Sequence, residues 1–287
     1  YWEIWNEPDG APDDADYVDK KCWGGTMREF FELYRVAATH LKKCFPHLKI
    51  GGPALTVAIT DWTKAFFDFV KENNVPMDFF SWHCYANHPG IDLKIESEVR
   101  ELLDSYGFTK TESILNEWNY VRSFCGDDWL YSLKAEKGLK GASFTTAVMC
   151  GSQYRPLDML MYYDARINST MNCLFDSCTC EPKKGYYPIK IWGEMLKMAD
   201  ECETVCTVPD IYAASAVKNG ESLTLVTYYT DDDNALPRRF TVDMKKDSLY
   251  TVCLLNEEHD MIPFETIASD NGCFSLTMQP NTVAVIK

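Results

Sequence analysis

Residues 1–9 read YWEIWNEPD. Aromatic and branched side chains carry the run from Tyr1 to Trp5, and an amide, an acid and a proline follow: Asn6, Glu7 and Pro8. Such a run predicts a short, largely buried strand that stops where proline can no longer donate a ladder hydrogen bond. A carboxylate then sits at the carboxyl end of a strand with a hydrogen-bonding amide just before it. In a barrel of parallel strands that end is where chemistry is done. A second acid in the same setting comes much later, Glu117 in the run SILNEWNY, residues 113–120. A charge closing two hydrophobic strands is costly inside a barrel unless it has a task.

Between and beyond these runs the sequence alternates strand and helix patterns. Residues 10–25 form a loop rich in Asp, Pro and Gly; Asp13, Asp14, Asp16 and Asp19 lack the Gly and terminal Glu of an EF-hand, so the loop reads as solvated and acidic. Thr26 with Glu29 makes a capping box for a helix whose inner face carries Phe30, Phe31, Leu33, Tyr34, Val36, Ala37 and Leu41. A strand over 48–55 and a helix capped by Asp61 and running to about Asn74 come next. Residues 77–85, MDFFSWHCY, are almost continuously apolar, as in a strand covered on both faces. His83 and Tyr85 lie two apart and so point the same way. A charged, solvent-covered helix over 91–106, a strand over 111–120, a loop over 121–140, a small-residue helix over 141–153, a strand over 157–166 and a helix over 187–200 complete the series. This alternation predicts an α/β domain with a parallel sheet over residues 1–203. From residue 204 the pattern becomes short alternating strands with frequent turns, of which Lys218-Asn219-Gly220-Glu221 is a two-residue hairpin signal. Residues 204–287 read as an antiparallel β-sandwich.

Composition narrows the function. The formal charge of −15 repels phosphates and argues against nucleic-acid and anionic-lipid partners. No apolar run approaches the ~18 residues of a membrane span. Twelve cysteines are many, yet Cys178 and Cys180 are one residue apart and Cys202 and Cys206 four, so neither pair has the CxxC spacing of a zinc site. Reduced thiols acting as small apolar residues explain them best, with a disulfide or two around Cys173, Cys178 and Cys180 left open. Neither a metal nor a cofactor is called for.

The strand-borne Asn-Glu-Pro of residues 6–8, followed more than a hundred residues on by Glu117, resembles the clan A retaining glycoside hydrolases. Within that clan the chain looks most like family 39, the β-xylosidase and α-iduronidase family. The likeness rests on WNEPD, on Glu117-Trp118-Asn119 and on a β domain after the barrel. The resemblance implies a (β/α)8 TIM barrel in which Glu7 follows the fourth strand as acid/base and Glu117 follows the seventh as nucleophile. The first three strands are then expected to lie outside this sequence, which would make it a fragment of a longer chain. The resemblance also implies that Tyr85 donates to the nucleophile, that His83 binds sugar, and that Tyr162 or Tyr163 floors the sugar subsite where the clan often has Trp. Asn6 is expected to bond the sugar 2-hydroxyl, with Trp118 and Asn119 contributing to substrate binding; Trp129 either stacks on a sugar ring or packs its loop. Burial and the charge of Glu117 are expected to raise the pKa of Glu7. The implied reaction is β-xylosidase-like double displacement on an oligosaccharide or glycoside of a neutral plant-type glycan, because the acidic chain disfavours polyanionic ones. The alternative is a non-catalytic glycan-binding protein on a glycosidase barrel. The β-sandwich, whose strands show no cluster of aromatics, reads as structural packing rather than as a carbohydrate-binding module.

Overall fold

Most of the apolar runs form strands of one sheet, but the first, expected to be largely buried up to Trp5, is paired only at Trp2–Glu3 and leaves Tyr1, Trp2 and Trp5 exposed, with Ile4 alone buried. The computed structural model describes residues 1–198 and 200–287. In chain order the first elements are β1 (Trp2–Glu3), α1 (Met27–Cys44), β2 (Ile50–Leu55), α2 (Asp61–Glu72), β3 (Phe79–Ala86), α3 (Pro89–Tyr106) and β4 (Glu112–Tyr120). Then follow α4 (Gly126–Ala135), α5 (Leu139–Ser152), β5 (Met159–Leu160) and α6 (Tyr186–Met195). Strands β1 to β5 lie side by side in sequence order. The β1–β2, β2–β3 and β4–β5 pairs are parallel. Sequential parallel strands joined by helices are the arrangement of a half-barrel. Thr26 caps α1 through the capping box with Glu29 that its sequence calls for. Thr60 rather than Asp61 caps α2, its hydroxyl taking the Thr63 amide while Asp61 is the first helical residue.

The chain divides into two compact units that do not follow a boundary at residue 203. The first holds residues 1–85, 91–118 and 155–162. Its helix layer is knit by aromatic rings: Phe30, Phe31, Tyr34, Trp62, Phe66 and Phe69 stand 4.9–6.5 Å apart by ring centroid. Val36 points to solvent, so the inner stripe of α1 is Phe30, Phe31, Tyr34 and Ala38.

The second unit contains residues 86–90, 119–154 and 163–287. Its strands are β6 (Asp200–Cys202), β7 (Ile211–Lys218), β8 (Glu221–Tyr228), β9 (Arg238–Asp243), β10 (Leu249–Leu255), β11 (Asp260–Ala268), β12 (Cys273–Met278) and β13 (Thr282–Ile286). Six of them form an antiparallel sheet ordered β11-β10-β13-β8-β7-β6, and β12 pairs with β9 separately. One face of the large sheet packs on α5 and α6 through Ala142, Cys150, Ile191, Met195, Leu225 and Val285. The other packs against the β9–β12 pair through Tyr250, Val252, Phe274, Leu276 and Met278.

Several local expectations change. Residues 126–135 are helical, not loop. The strand expected over 157–166 is paired only at Met159–Leu160. The helix expected over 187–200 ends as α6 at Met195 and a 3-10 turn at 196–198; Ala199 lies outside the described residues. Strand β11 holds a proline, Pro263, which an edge position tolerates because one side of an edge strand needs no ladder donor. All twelve cysteines are free thiols. Among the described residues no helix is long and apolar enough to cross a membrane.

Helix α3 is not simply a solvated charged helix. Asp92 and Glu96, one turn apart, are wholly buried, and neither oxygen of Asp92 finds a conventional hydrogen-bond donor. Burial drives the Asp92 carboxyl well above its ordinary value, with the neighbouring Glu96 adding to the rise and the Cys84 thiol opposing it. A carboxyl whose folded pKa is raised stabilises the fold fully below its unfolded value of ~3.9 and loses that contribution as pH climbs towards the folded value. Asp92→Asn should therefore melt higher than the parent at pH 7, by on the order of a few degrees, with the gain shrinking towards pH 4; calorimetry across that range checks it. Phe66→Ala should destabilise the first unit by about 3–5 kcal/mol in denaturant titration, because the ring is fully buried among five others.

Candidate active site

The site begins where β1 stops being a strand. The chain keeps its register on β2 past Glu3: the Ile4 amide donates to the Gly51 carbonyl and the Glu7 amide to the Ala54 carbonyl, both at 2.9 Å. Meanwhile Trp5 (φ 72°) and Glu7 (φ 48°) swing into left-handed backbone. Non-glycine residues pay roughly 1–2 kcal/mol for this conformation, and it persists only where the surroundings impose it. The last residue of WNEPD is one such restraint. Asp9 accepts hydrogen bonds from the Thr56 amide at 3.0 Å, the Thr56 hydroxyl at 2.7 Å and the Val57 amide at 3.3 Å, tying the turn to the loop after β2.

The turn presents Glu7 to the carboxyl ends of β3 and β4. His83 and Tyr85 share a face of β3, and Glu117 rises from β4. His83 Nδ1 is 3.0 Å from Glu7 Oε1 and 3.5 Å from Glu117 Oε2. The Tyr85 hydroxyl donates to Glu117 Oε2 at 2.8 Å. One ligand-type atom each from Glu7, His83 and Glu117 lies within 4.8 Å of the other two, a grouping that a divalent cation would also accept. The His83 side chain is wholly enclosed, while the Glu7 and Glu117 side chains remain 24% and 21% exposed, so both acids reach solvent over a buried imidazole.

The electrostatics depart from the sequence expectation. The Glu7 carboxyl is held below the ordinary carboxylate range, because the His83 hydrogen bond outweighs the upward push of burial; Cys22 and Lys21 add to the lowering. The expected rise counted burial and the charge of Glu117 but not a ring nitrogen standing between the two acids.

Other candidate residues are placed differently. Asn6 is exposed at the same turn. Trp118 is 1% exposed and packs edge-on against Tyr162 at 5.4 Å. Strand alternation sends it to the face opposite Glu117, so its ring offers a sugar no surface and its expected binding role is withdrawn. Asn119 is also fully buried; its amide donates to the Tyr163 carbonyl at 2.8 Å and to Cys173 Sγ, and its oxygen accepts the Tyr120 amide, which makes it a brace rather than a ligand contact. Trp129 stands in α4 against Phe124 at 5.3 Å, and Tyr163 takes Arg166 on its ring and its hydroxyl; both belong to the second unit. Sequence reasoning missed Cys22, whose Sγ lies 3.7 Å from Glu7 Oε2, and Glu3, which accepts from the Asn116 side chain at 2.8 Å. An acid inside an otherwise apolar strand was the available signal for Glu3; nothing local marks Cys22.

Residues 1–114 match the sequence family described as Glycosyl hydrolases family 39. The match covers less than half of the 287 residues. A β-xylosidase of Caldicellulosiruptor saccharolyticus is 41% identical over 85 residues, which is 30% of this chain and 15% of that protein. A β-xylosidase of Geobacillus stearothermophilus is 36% identical over 123 residues, 42% of this chain and 22% of that protein. The alignments thus span less than a quarter of either relative. Among solved structures, a glucosidase from Croceicoccus marinus superposes over 100% of this chain and 68% of its own with a TM-score of 0.76 at 19% identity. A monomeric β-xylosidase from Caulobacter crescentus covers 99% of this chain and 68% of its own with a TM-score of 0.69 at 17% identity. At such identities the likeness is one of fold, and it agrees with a partial TIM barrel joined to a β-sandwich.

Because His83 is the largest influence holding Glu7 down, His83→Phe should shift the Glu7 carboxyl titration upward, read by carbon-13 NMR as the signal that vanishes in Glu7→Gln. A midpoint that does not move would break the link between the two side chains.

Proposed function

We propose that this protein is a retaining glycoside hydrolase acting on a neutral, β-xyloside-type glycan. The observation that carries the reading is the meeting of Glu7, from the turn after β1, and Glu117, from within β4, with one carboxylate oxygen of each within 4.8 Å of the other. Retaining enzymes hold the two carboxyls ~5–5.5 Å apart, whereas inverting ones leave ~6.5–9.5 Å for a water. The sugar assignment draws on the family 39 match and on the two β-xylosidase relatives.

In the first step Glu117 attacks the anomeric carbon while Glu7 gives its proton to the leaving oxygen, and the glycosidic bond breaks as the glycosyl–enzyme ester forms. In the second, Glu7, now a carboxylate, takes a proton from water, whose oxygen displaces Glu117 from the sugar. Tyr85 occupies one oxygen of Glu117 and leaves the other to attack. The lowered pKa keeps Glu7 ionised before substrate arrives, the form from which its second role starts. A sugar ring seated over both acids excludes water and so raises Glu7 towards the protonated form that the first step needs. Asn6, exposed beside Glu7, is placed to bond the 2-hydroxyl.

In the full-length protein, Glu117→Gln should reduce turnover of nitrophenyl xyloside by at least ~10³-fold. Glu117→Ala should be partly rescued by azide, yielding a glycosyl azide of configuration opposite to the substrate. Undiminished hydrolysis by Glu117→Gln would remove the nucleophile, and binding of xylo-oligosaccharides by the parent protein without release of reducing ends would favour a glycan-binding role instead.

A further inference from the structure

The loop from Gly10 to Gly25 leaves the Glu7 turn and returns beside it, and its return is fixed at several points. Lys20 Nζ donates to the carbonyls of Asp13 at 3.1 Å and Gly25 at 3.0 Å. The Met27 amide, at the start of α1, donates to Asp13 Oδ1 at 2.6 Å. The Trp5 indole N–H donates to the Cys22 carbonyl at 2.8 Å, and Trp23, edge-on to Trp5 at 5.4 Å, donates to the Thr26 carbonyl at 2.9 Å. Residue 22 is therefore held by its own carbonyl and by the indole after it, and its side chain reaches Glu7 Oε2 at 3.7 Å, within range for a sulfur donor.

We propose that Cys22 is a positioning residue for Glu7, its S–H fixing Oε2 while His83 fixes Oε1. The role rests on the glycosidase reading above. A carboxyl gripped at one oxygen still pivots; gripped at both, it holds one plane, and proton transfer depends steeply on that orientation. A thiol suits the second grip because it is a weak donor and a weak acceptor. It orients Oε2 yet yields it to a leaving oxygen or a water. The coupling also runs the other way: burial and then the charge of Glu7 push the Cys22 thiol up, and Asn6 beside the sulfur and Lys21 oppose the rise. The charged and titratable groups around Glu7 are thus His83 from β3, Glu117 from β4, and Lys21 and Cys22 from the returning loop.

The test uses the full-length protein and its pH profile. Loss of the thiol removes a donor to the Glu7 carboxylate, so Cys22→Ala should move the alkaline limb of kcat/KM to higher pH and lower kcat roughly three- to tenfold with KM little changed. Cys22→Ser, which keeps a hydroxyl donor, should restore most of both. A second measurement needs no turnover: alkylation of Cys22 by iodoacetamide, followed by peptide mass spectrometry, should show its thiol ionising at lower pH in Glu7→Gln than in the parent. An active parent whose Cys22→Ala pH profile is unchanged, or an alkylation midpoint indifferent to Glu7→Gln, overturns the role of Cys22 and leaves the glycosidase reading standing. An inactive parent overturns that reading instead, and this role with it.

Discussion

The imidazole of His83, shut away from solvent, stands 3.0 Å from one carboxylate and 3.5 Å from another. Two acids brought this close repel, and one of them is ordinarily forced to take up a proton. The hydrogen bond from the His83 ring outweighs the upward push of burial on Glu7, which is how that carboxyl stays below the normal carboxylate range. The arrangement needs β3 to lie between the ends of β1 and β4. Sequential parallel strands with crossover helices supply this order, because each right-handed strand–helix–strand unit sets the next strand beside the last and pointing the same way.

Holding the first acid takes more than the sheet. Trp5 and Glu7 sit in left-handed backbone without being glycine, and the Glu7–Ala54 hydrogen bond and the three bonds into Asp9 keep them there. The same turn is closed on its outer side by Cys22 and the Trp5–Trp23 pair. Strain concentrated at a strand end, with restraints drawn from two neighbouring loops, is typical of a pre-organised site.

The second unit follows a different logic. Helix α5 is hydrophobic on nearly every side, and its buried Ser143 and Thr146 find partners in Thr227 and in the helix's own backbone. Around it Asp231 gathers Asn87, Tyr120, Arg122 and Lys140, so an acid, two cations, an amide and a phenol satisfy one another. Glu136 is the exception, fully buried with neither oxygen hydrogen-bonded and its carboxyl pushed up to about 8 by burial. The seam between parallel and antiparallel sequence patterns at residue 204 is therefore not a seam in packing. Helices α5 and α6, written in the α/β part of the chain, bury their faces on the antiparallel sheet.

What the sequence by itself determined was whatever local pattern and short spacing encode. Most of the parallel strands, the capping box at Thr26, the hairpin at Asn219-Gly220 and the two acids near the carboxyl side of apolar runs were legible because period, turn chemistry and burial cost act over a few residues, although Glu117 lies inside β4 and Glu7 beyond a β1 of two exposed residues. The half of the site on one strand, His83 with Tyr85, was legible for the same reason. The helix over 126–135 and the edge strand with Pro263 were not, since weak propensities there are overruled by neighbours. Only the tertiary structure decided that His83 stands between the acids and lowers Glu7, that Cys22 comes back against it, that Trp118 and Asn119 face inward, and that Asp92 is buried. Each depends on distances between residues remote in the chain, and a one-dimensional pattern carries no such distance.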